Sequence, residues 1–571
     1  MDQILVSVLS NRLKSICGQM GVTIEKSAHS PLLVEGRDFS LGLYAADGTL
    51  IEQTEYIPIL GYATVPGVKA IVEYFKDDVK EGDVFLHNDT YTGGNQNSDW
   101  KVVKPVFYEG ELVAWTAIIA HQADVGGAVP GSYNPYATDL WQEGLRITPL
   151  KIIESSKKRQ DVWDLVFGNV RLPVVADDVT AMIGGCAVGE RELIAIYDKY
   201  GVETLNEAVA EIFKSTEEIA KKIIEDIPNG VYTSSILTYD DGFDHDKEMN
   251  IDVTITVENE KMTFDFAGTH PQTKGYVNAP LPVTISSVMI AFFMLSDQDL
   301  PHNDAIHNCI DITVPEGTML NPKFPAASGF GNHLSDQIVT VVMMALSEVL
   351  PERVTAGWNP LLCGIINGKD PDTEAPFVDI LLNGSKGGSG GTYGANGFDH
   401  IGLIASGGAL AAQDPEMFEI TMPLTLHKYE YATDSAGAGQ WRGGYGVETV
   451  FEVNADNTQL SIFGDGKYEA SAGKGLLGGT DGGLNSIKIE YPDGTVYDSE
   501  VKDLVSDIPA GTVYTQIAGG GGGYGDPKER DKEAVMEELK TGLISAESAK
   551  EHYGVEIEST SCTSGEKMKM R

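Results

Sequence analysis

Residues 102–124, VVKPVFYEGELVAWTAIIAHQAD, decide the fold. Val, Phe, Trp and Ile crowd two runs on either side of Glu109-Gly110, a two-residue turn signal, so the stretch predicts a pair of antiparallel strands. The second run gives way at His121 to the polar string His121-Gln122-Ala123-Asp124 and then to Gly126-Gly127. A polar cluster just past a buried strand is where a rigid scaffold presents catalytic groups.

Working outward, helical periodicity covers residues 1 to about 27, and alternation around Asp47-Gly48 predicts a hairpin over 38–53. A helix is expected at 66–77, followed by a short apolar run that breaks into the polar loop HNDTYTGGNQNSD (87–99). From 139 to 225 the pattern turns helical, and from 230 to 270 it alternates with the strand period. Apolar helices at 280–297 and 335–350 are separated by a strand near 309–315. The final third is Gly-rich and β-biased until a charged helical tail from about 527, and STSCTSGEKMKMR (559–571) reads as disordered. These elements make an α+β (mixed α/β), multidomain protein with a Gly-rich, β-biased C-terminal third. The expected divisions are 1–150, which carries the polar cluster, a mixed region 151–300, a Gly-rich region 301–525, and a helix and tail 526–571.

At 571 residues the chain exceeds the size at which one core keeps growing, so two to four domains are expected. A formal charge of -43 repels phosphate backbones and anionic headgroups, which argues against nucleic acid and membrane partners. No apolar run is long enough to span a bilayer, and the N-terminus lacks the layout of a signal peptide. Five scattered cysteines without a CxxC pair argue against a disulfide framework and a thiolate zinc site. The expected compartment is the cytosol.

Several ionisable residues gather before position 125. Asp38 opens a strand, Asp89 and Asp99 lie in the 87–99 loop, and His121 and Asp124 stand three apart. Imidazole with carboxylates suits a borderline divalent cation, so Asp38, His121 and Asp124 form a possible metal set with Gln96 or Asp99 nearby. The plainer alternative is that His121 and Asp124 cap the strand end. Glycines at 93–94, 126–127 and 131 permit close backbone approach to a ligand and favour the functional reading. No P-loop is present, since Ser471 to Gly475 lacks the hydroxyl residue that binds magnesium. Gly387 to Gly391 matches GxSxG in letters only, and the run 519–523 reads as a turn packed against other backbone more readily than as a phosphate cradle. His302 and His307 read as packing histidines, and Trp100, Trp115 and Trp141 as core residues with a stacking role as the alternative.

Eight motifs then fall in one order: GRDFSLGLYAADG (36–48), NDTYTGG with NSD at 97–99, PVFYEGELVAW (105–115), AHQADVGGAVPGS (120–132), QEGLRI (142–147), VPEGTMLNP (314–322), DSAGAGQWRGGYG (434–446) and GGGGYGDPKERD (520–531). Together they resemble the hydantoinase B/oxoprolinase family, which includes subunits of hydantoinases, oxoprolinases, caprolactamase, acetone carboxylase and acetophenone carboxylase. The resemblance implies a hetero-oligomer in which a hydantoinase A-type partner binds ATP and magnesium and phosphorylates an oxygen of the substrate or of bicarbonate. It also implies that a zinc or manganese ion, where held, would take Asp38, the residue at position 96, His121 and Asp124. Here position 96 is Gln, where the family's lactam hydrolases and acetone carboxylases alike have histidine, and a carboxamide is a far weaker ligand than imidazole. The sequence AHQAD looks more like the carboxylases than the hydrolases. The resulting expectation is a ketone carboxylase subunit joining activated bicarbonate to an enol or enol phosphate to give a β-keto acid. His121 is the expected base, Asp124 orients its ring, Asp38 completes the site, and Arg37, Gln96, Asp99 and Arg146 bind substrate, the two arginines through its anionic group. A lactam-type hydrolase is the alternative of the same family, and a non-catalytic scaffold the alternative of another class.

Overall fold

The computed structural model describes residues 1–296 and 300–556. The tail expected to be disordered, and Cys562 within it, lie outside the described residues. The α+β, multidomain expectation holds: four sheets and eleven α-helices are present among the described residues.

The first half is built on a seven-stranded antiparallel sheet. In chain order come α1 (Gln3–Ser27), α2 (Pro31–Val34), β1 (Phe39–Ala45), β2 (Leu50–Glu55), α3 (Pro58–Phe75), β3 (Val84–His87), β4 (Asp99–Tyr108), β5 (Glu111–His121), β6 (Leu150–Glu154), β7 (Lys157–Lys158) and α4 (Gln160–Phe167). The strand order is β2-β1-β5-β4-β3-β6-β7. Two long helices follow, α5 (Val174–Tyr200) and α6 (Val202–Glu225). Strand alternation divides the sheet between two cores: Leu41, Trp100, Val102, Ile118 and Ala120 pack with α1 and α5, while Val103, Trp115, Ala117 and Ile119 pack with α3. Burial on both faces explains why β4 and β5 read as near-continuous apolar runs.

A second sheet, β11-β10-β9-β8, is formed by β8 (Gly230–Tyr239), β9 (Glu248–Glu258), β10 (Lys261–Asp265) and β11 (Ile310–Thr313), with α7 (Leu281–Met294) and α8 (Ser335–Leu346) beside it. The remainder runs β12 (Leu362–Lys369), β13 (Pro376–Ile380), α9 (Pro415–Thr421), β14 (Leu424–Tyr431), β15 (Val447–Val453), β16 (Thr458–Gly464), β17 (Ser486–Glu490), β18 (Val496–Asp498), β19 (Lys502–Ile508) and β20 (Thr512–Ile517). These strands form the sheets β13-β12-β16-β19 and β14-β15-β20-β17-β18. The chain closes with α10 (Lys532–Thr541) and α11 (Ala546–Tyr553).

Two expectations are corrected. The helix expected at 66–77 begins eight residues earlier at Pro58, because residues 59–65 are all buried and so show no polar face for the periodicity to reveal. Residues 150–158, expected to be helical, form the hairpin β6–β7, turned by Ser155 and Ser156 at φ 47° and 64°. That turn needs two left-handed residues and lacks the Asn-Gly signal that would have announced it.

The glycine run 519–523 is a hydrogen-bonded hub. Successive amides from Gly520 to Gly525 donate to the carbonyls of Ser435, Gly444, Gly357, Thr480, Trp441 and Leu476, at 2.8–3.1 Å. The direction repeats every third residue, as three residues per turn require of an extended polyproline-type chain. These amides are committed to protein carbonyls, so the run is no phosphate cradle. Added Cβ atoms at Gly519 through Gly523 would lie 1.9–2.2 Å from neighbouring carbonyl oxygens. Replacing Gly521 by Ala is expected to cost ~3 kcal/mol or more, because backbone cannot yield as a side chain does. Gly18→Ala, where nothing lies within 4 Å, is expected to stabilise α1 by ~0.5–1 kcal/mol. Denaturant unfolding of the two variants checks the contrast.

Candidate active site

Three neighbouring strands end at one edge of the seven-stranded sheet: Asp38 precedes β1, His121 closes β5 and Asp99 opens β4. The register sets Asp99 directly opposite His121, and the His121 amide donates to the Asp38 carbonyl at 3.0 Å. Directly opposed residues hold their Cβ atoms ~5 Å apart, so the side chains meet: His121 Nδ1 is 2.8 Å from Asp99 Oδ1.

Asp99 is wholly buried, and its second oxygen accepts from Asn95 Nδ2 and, at 2.6 Å, from Asn332 Nδ2. Lys101, two residues along β4 and so on the same face, donates to Asn95 Oδ1 at 3.0 Å. Its amine is fully enclosed, and burial lowers its pKa to about 8 against the pull of Asp99. Gly67 of α3 makes room for it, since a Cβ there would sit 2.6 Å from Lys101 Cδ.

Burial works against a charged His121, but the Asp99 hydrogen bond and the charges of Asp99 and Asp38 outweigh it and raise the pKa. Burial also raises Asp38 to about 6, with His121 pulling down and Asp99 pushing up. His121 therefore sits in an environment that stabilises an added proton, as a general base requires.

These groups face a cavity of about 60 Å³, lined by Asp38, Gln96, Asp99, His121, Asn332 and His333 and otherwise mostly by apolar side chains such as Ile57, Leu60, Leu361, Ile380, Leu403 and Phe463. Tyr133 stacks on Phe463 with ring centroids 3.9 Å apart. Its hydroxyl accepts from Gln96 Nε2 at 2.5 Å and lies 2.9 Å from His333 Nε2. His121 Nε2 and Gln96 Oε1 are buried without a hydrogen-bond partner. Buried polar atoms left open on a cavity wall are positioned to receive a ligand.

The structure brings together Asp38, Gln96, Asp99 and His121 and separates the other expected site residues. Asp124 does not orient the His121 ring, because Asp99 does. The Asp124 carboxylate instead accepts from the amides of Gly126, Gly131 and Arg171 and from the Arg171 guanidinium at 3.1 Å, and so shapes the loop after β5. Arg37 lies on the surface at φ 56°, beside Glu25 at 3.5 Å. Arg146 makes two hydrogen bonds to Asp89, at 2.8 and 2.9 Å, and is not free to hold a substrate anion. The proposed set Asp38, His121 and Asp124 therefore does not fit a zinc or manganese ion. Among the described residues no three His, Cys, Asp or Glu side chains are arranged to hold a metal. Trp100 and Trp115 are buried on opposite faces of the sheet, and Trp141 is exposed against Phe324. His302 and His307 pack on Phe293 and Tyr62.

Sequence reading missed Asn95, Lys101, Tyr133, Asn332, His333 and Phe463. Only Lys101 carried a signal: in alternating β4 it shares the face of Asp99, an odd place for a lysine unless it has a partner.

A hydantoinase B/oxoprolinase family model matches residues 2–527. The chain belongs to this family. It is 30% identical over 570 residues to the beta subunit of the caprolactamase of Pseudomonas jessenii, covering 98% of this chain and 96% of that one. It is 31% identical to the B-type subunit of a putative D-/L-hydantoinase from a Pseudomonas strain, covering 97% and 95%. The crystal structure of the ATP-dependent caprolactamase from Pseudomonas jessenii superposes with a TM-score of 0.92, covering 98% of this chain and 97% of that one at 30% identity. Nucleotide-free acetone carboxylase superposes with a TM-score of 0.90 at 20% identity, covering 98% and 80%, a likeness of fold. Among the described residues no helix is long and apolar enough to cross a membrane.

Asp99→Asn tests the pair. Removing the anion destabilises the imidazolium, so the His121 titration followed by NMR is expected to move to lower pH. Activity should fall ~10²-fold or more. A titration that stays in place would show that Asp99 does not hold the proton.

Proposed function

We propose that this chain is the carbon–carbon bond-forming subunit of an ATP-dependent carboxylase, and that its substrate is a ketone. The observation that carries this reading is a buried base, His121 held by Asp99, whose open Nε2 faces a cavity with mostly apolar walls.

In this reading His121 Nε2 removes a proton from the carbon beside the ketone carbonyl, and Asp99 holds the imidazolium that results. The enolate carbon attacks the carbon of carboxyphosphate. A carbon–carbon bond forms, the bond from that carbon to the phosphate oxygen breaks, and phosphate leaves, giving a β-keto acid. The carboxyphosphate comes from a hydantoinase A-type partner that binds ATP with magnesium, in keeping with relatives that are named as subunits. Mostly apolar walls protect both the enolate and the acyl phosphate from water. The carboxylase-like AHQAD supports the same reading.

The second reading, a cyclic amide hydrolase, is favoured by the two Pseudomonas relatives. Purification with the native partner, followed by assays with ATP, labelled bicarbonate and panels of ketones and lactams, separates them. ATP-dependent fixation of label with a ketone of the panel is expected. Lactam opening without bicarbonate would overturn the proposal.

A further inference from the structure

We propose that His333 is the carbonyl-binding acid of this site: its Nδ1–H hydrogen-bonds the substrate's carbonyl oxygen and stabilises the charge that grows there as His121 acts. The inference rests on the reading above only in placing a carbonyl compound in the cavity, and it applies to a ketone or a lactam alike.

Three side chains in series set the tautomer of this ring. Gln96 Nε2 donates to the Tyr133 hydroxyl oxygen at 2.5 Å, so the hydroxyl proton is free to point elsewhere. The other polar atom at that hydroxyl is His333 Nε2, 2.9 Å away. Tyr133 therefore donates, Nε2 accepts, and the proton of a neutral His333 ring must sit on Nδ1. That Nδ1 is buried and has no partner in the protein, and His333 lines the same cavity as His121. An unpartnered buried N–H carries an unrelieved desolvation cost, which a ligand oxygen removes.

The ring also stays neutral. Burial, with the charge of His121 adding to it, drives the His333 pKa down to about 3. A neutral N–H stabilises an enolate oxygen without handing it a proton, whereas an imidazolium would tend to quench it. His333 sits on the short 3-10 turn Gly331–Leu334, next to Asn332, whose amide holds Asp99. One turn thus fixes the donor and steadies the partner of the base. Tyr133 and Gln96 are positioning residues, acting on the substrate only through the tautomer of His333.

The experiment uses the native complex with [2-13C]acetone, and in parallel a carbonyl-labelled lactam, as NMR probes. In the wild type the bound carbonyl resonance is expected to move downfield, and the 15N spectrum of His333 to show a neutral ring protonated at Nδ1. His333→Phe keeps a ring of similar size and should abolish the shift, with kcat reduced ~10²–10³-fold and KM little changed. His333→Asn places an N–H near the original Nδ1 and should restore the shift, and Tyr133→Phe should weaken it by releasing the tautomer. A wild-type ring protonated at Nε2, or a carbonyl shift that persists in His333→Phe, overturns the proposal. A shift seen with the lactam alone retains the donor and defeats the carboxylase reading. A cavity that binds neither probe overturns both.

Discussion

An Asp99 carboxylate sealed from water at the mouth of a β-ladder would cost several kcal/mol if left alone, and the architecture around it is arranged to answer that cost. Asn95 and Asn332 occupy one oxygen, His121 the other, and Lys101 backs Asn95 from within the core. All of this depends on register. A slip of one residue between β4 and β5 would turn Asp99 toward the α1–α5 face, because side chains alternate with period two. The Glu109-Gly110 turn, with φ of 51° and 89°, pairs Tyr108 with Glu111, and a bulge between Val106 and Phe107 then shifts the register by one residue so that Asp99 meets His121. A turn and a bulge, both away from the site, therefore decide together whether the pair can form.

The same dependence explains what could be read from the chain. The hairpin 99–121 and the polar group at its end were legible, since β-propensity, turn chemistry and the change from apolar to polar at His121 are local properties. The partner of His121 was misassigned to Asp124 because spacing along the chain favours near neighbours, whereas antiparallel pairing joins residues 22 apart. Arg37 and Arg146 looked free for substrate only while Glu25 and Asp89 were not known to lie beside them. Tyr133, His333 and Phe463 could not be found this way, because they meet through contacts between sheets that no periodicity records.

Those contacts are made possible by glycine. Phe463 and Cys363 stand on β16 and β12, far along the chain from His121, and line the same cavity. Gly131 permits the approach at the site, where a Cβ would come within 2.7 Å of Ile365 Cγ2. The Ser461 hydroxyl then donates to the Tyr133 carbonyl, fixing the residue whose hydroxyl governs His333. Gly131 thus lets the sheet of β12 and β16 approach the sheet edge that carries His121.

Two histidines share this cavity under opposite fields. His121, beside Asp99 and Asp38, is raised, while His333, buried among aromatic rings and facing the charge of His121, falls to about 3. Environments that push two like groups apart divide the work of acid–base chemistry between them. One ring is made to take a proton and the other to keep its own. Each state supports the other, because a protonated His121 further suppresses charge on His333. Gln96 completes the logic: by donating to the Tyr133 oxygen it leaves the hydroxyl proton to His333 Nε2 and the open Nδ1 of that ring to the cavity.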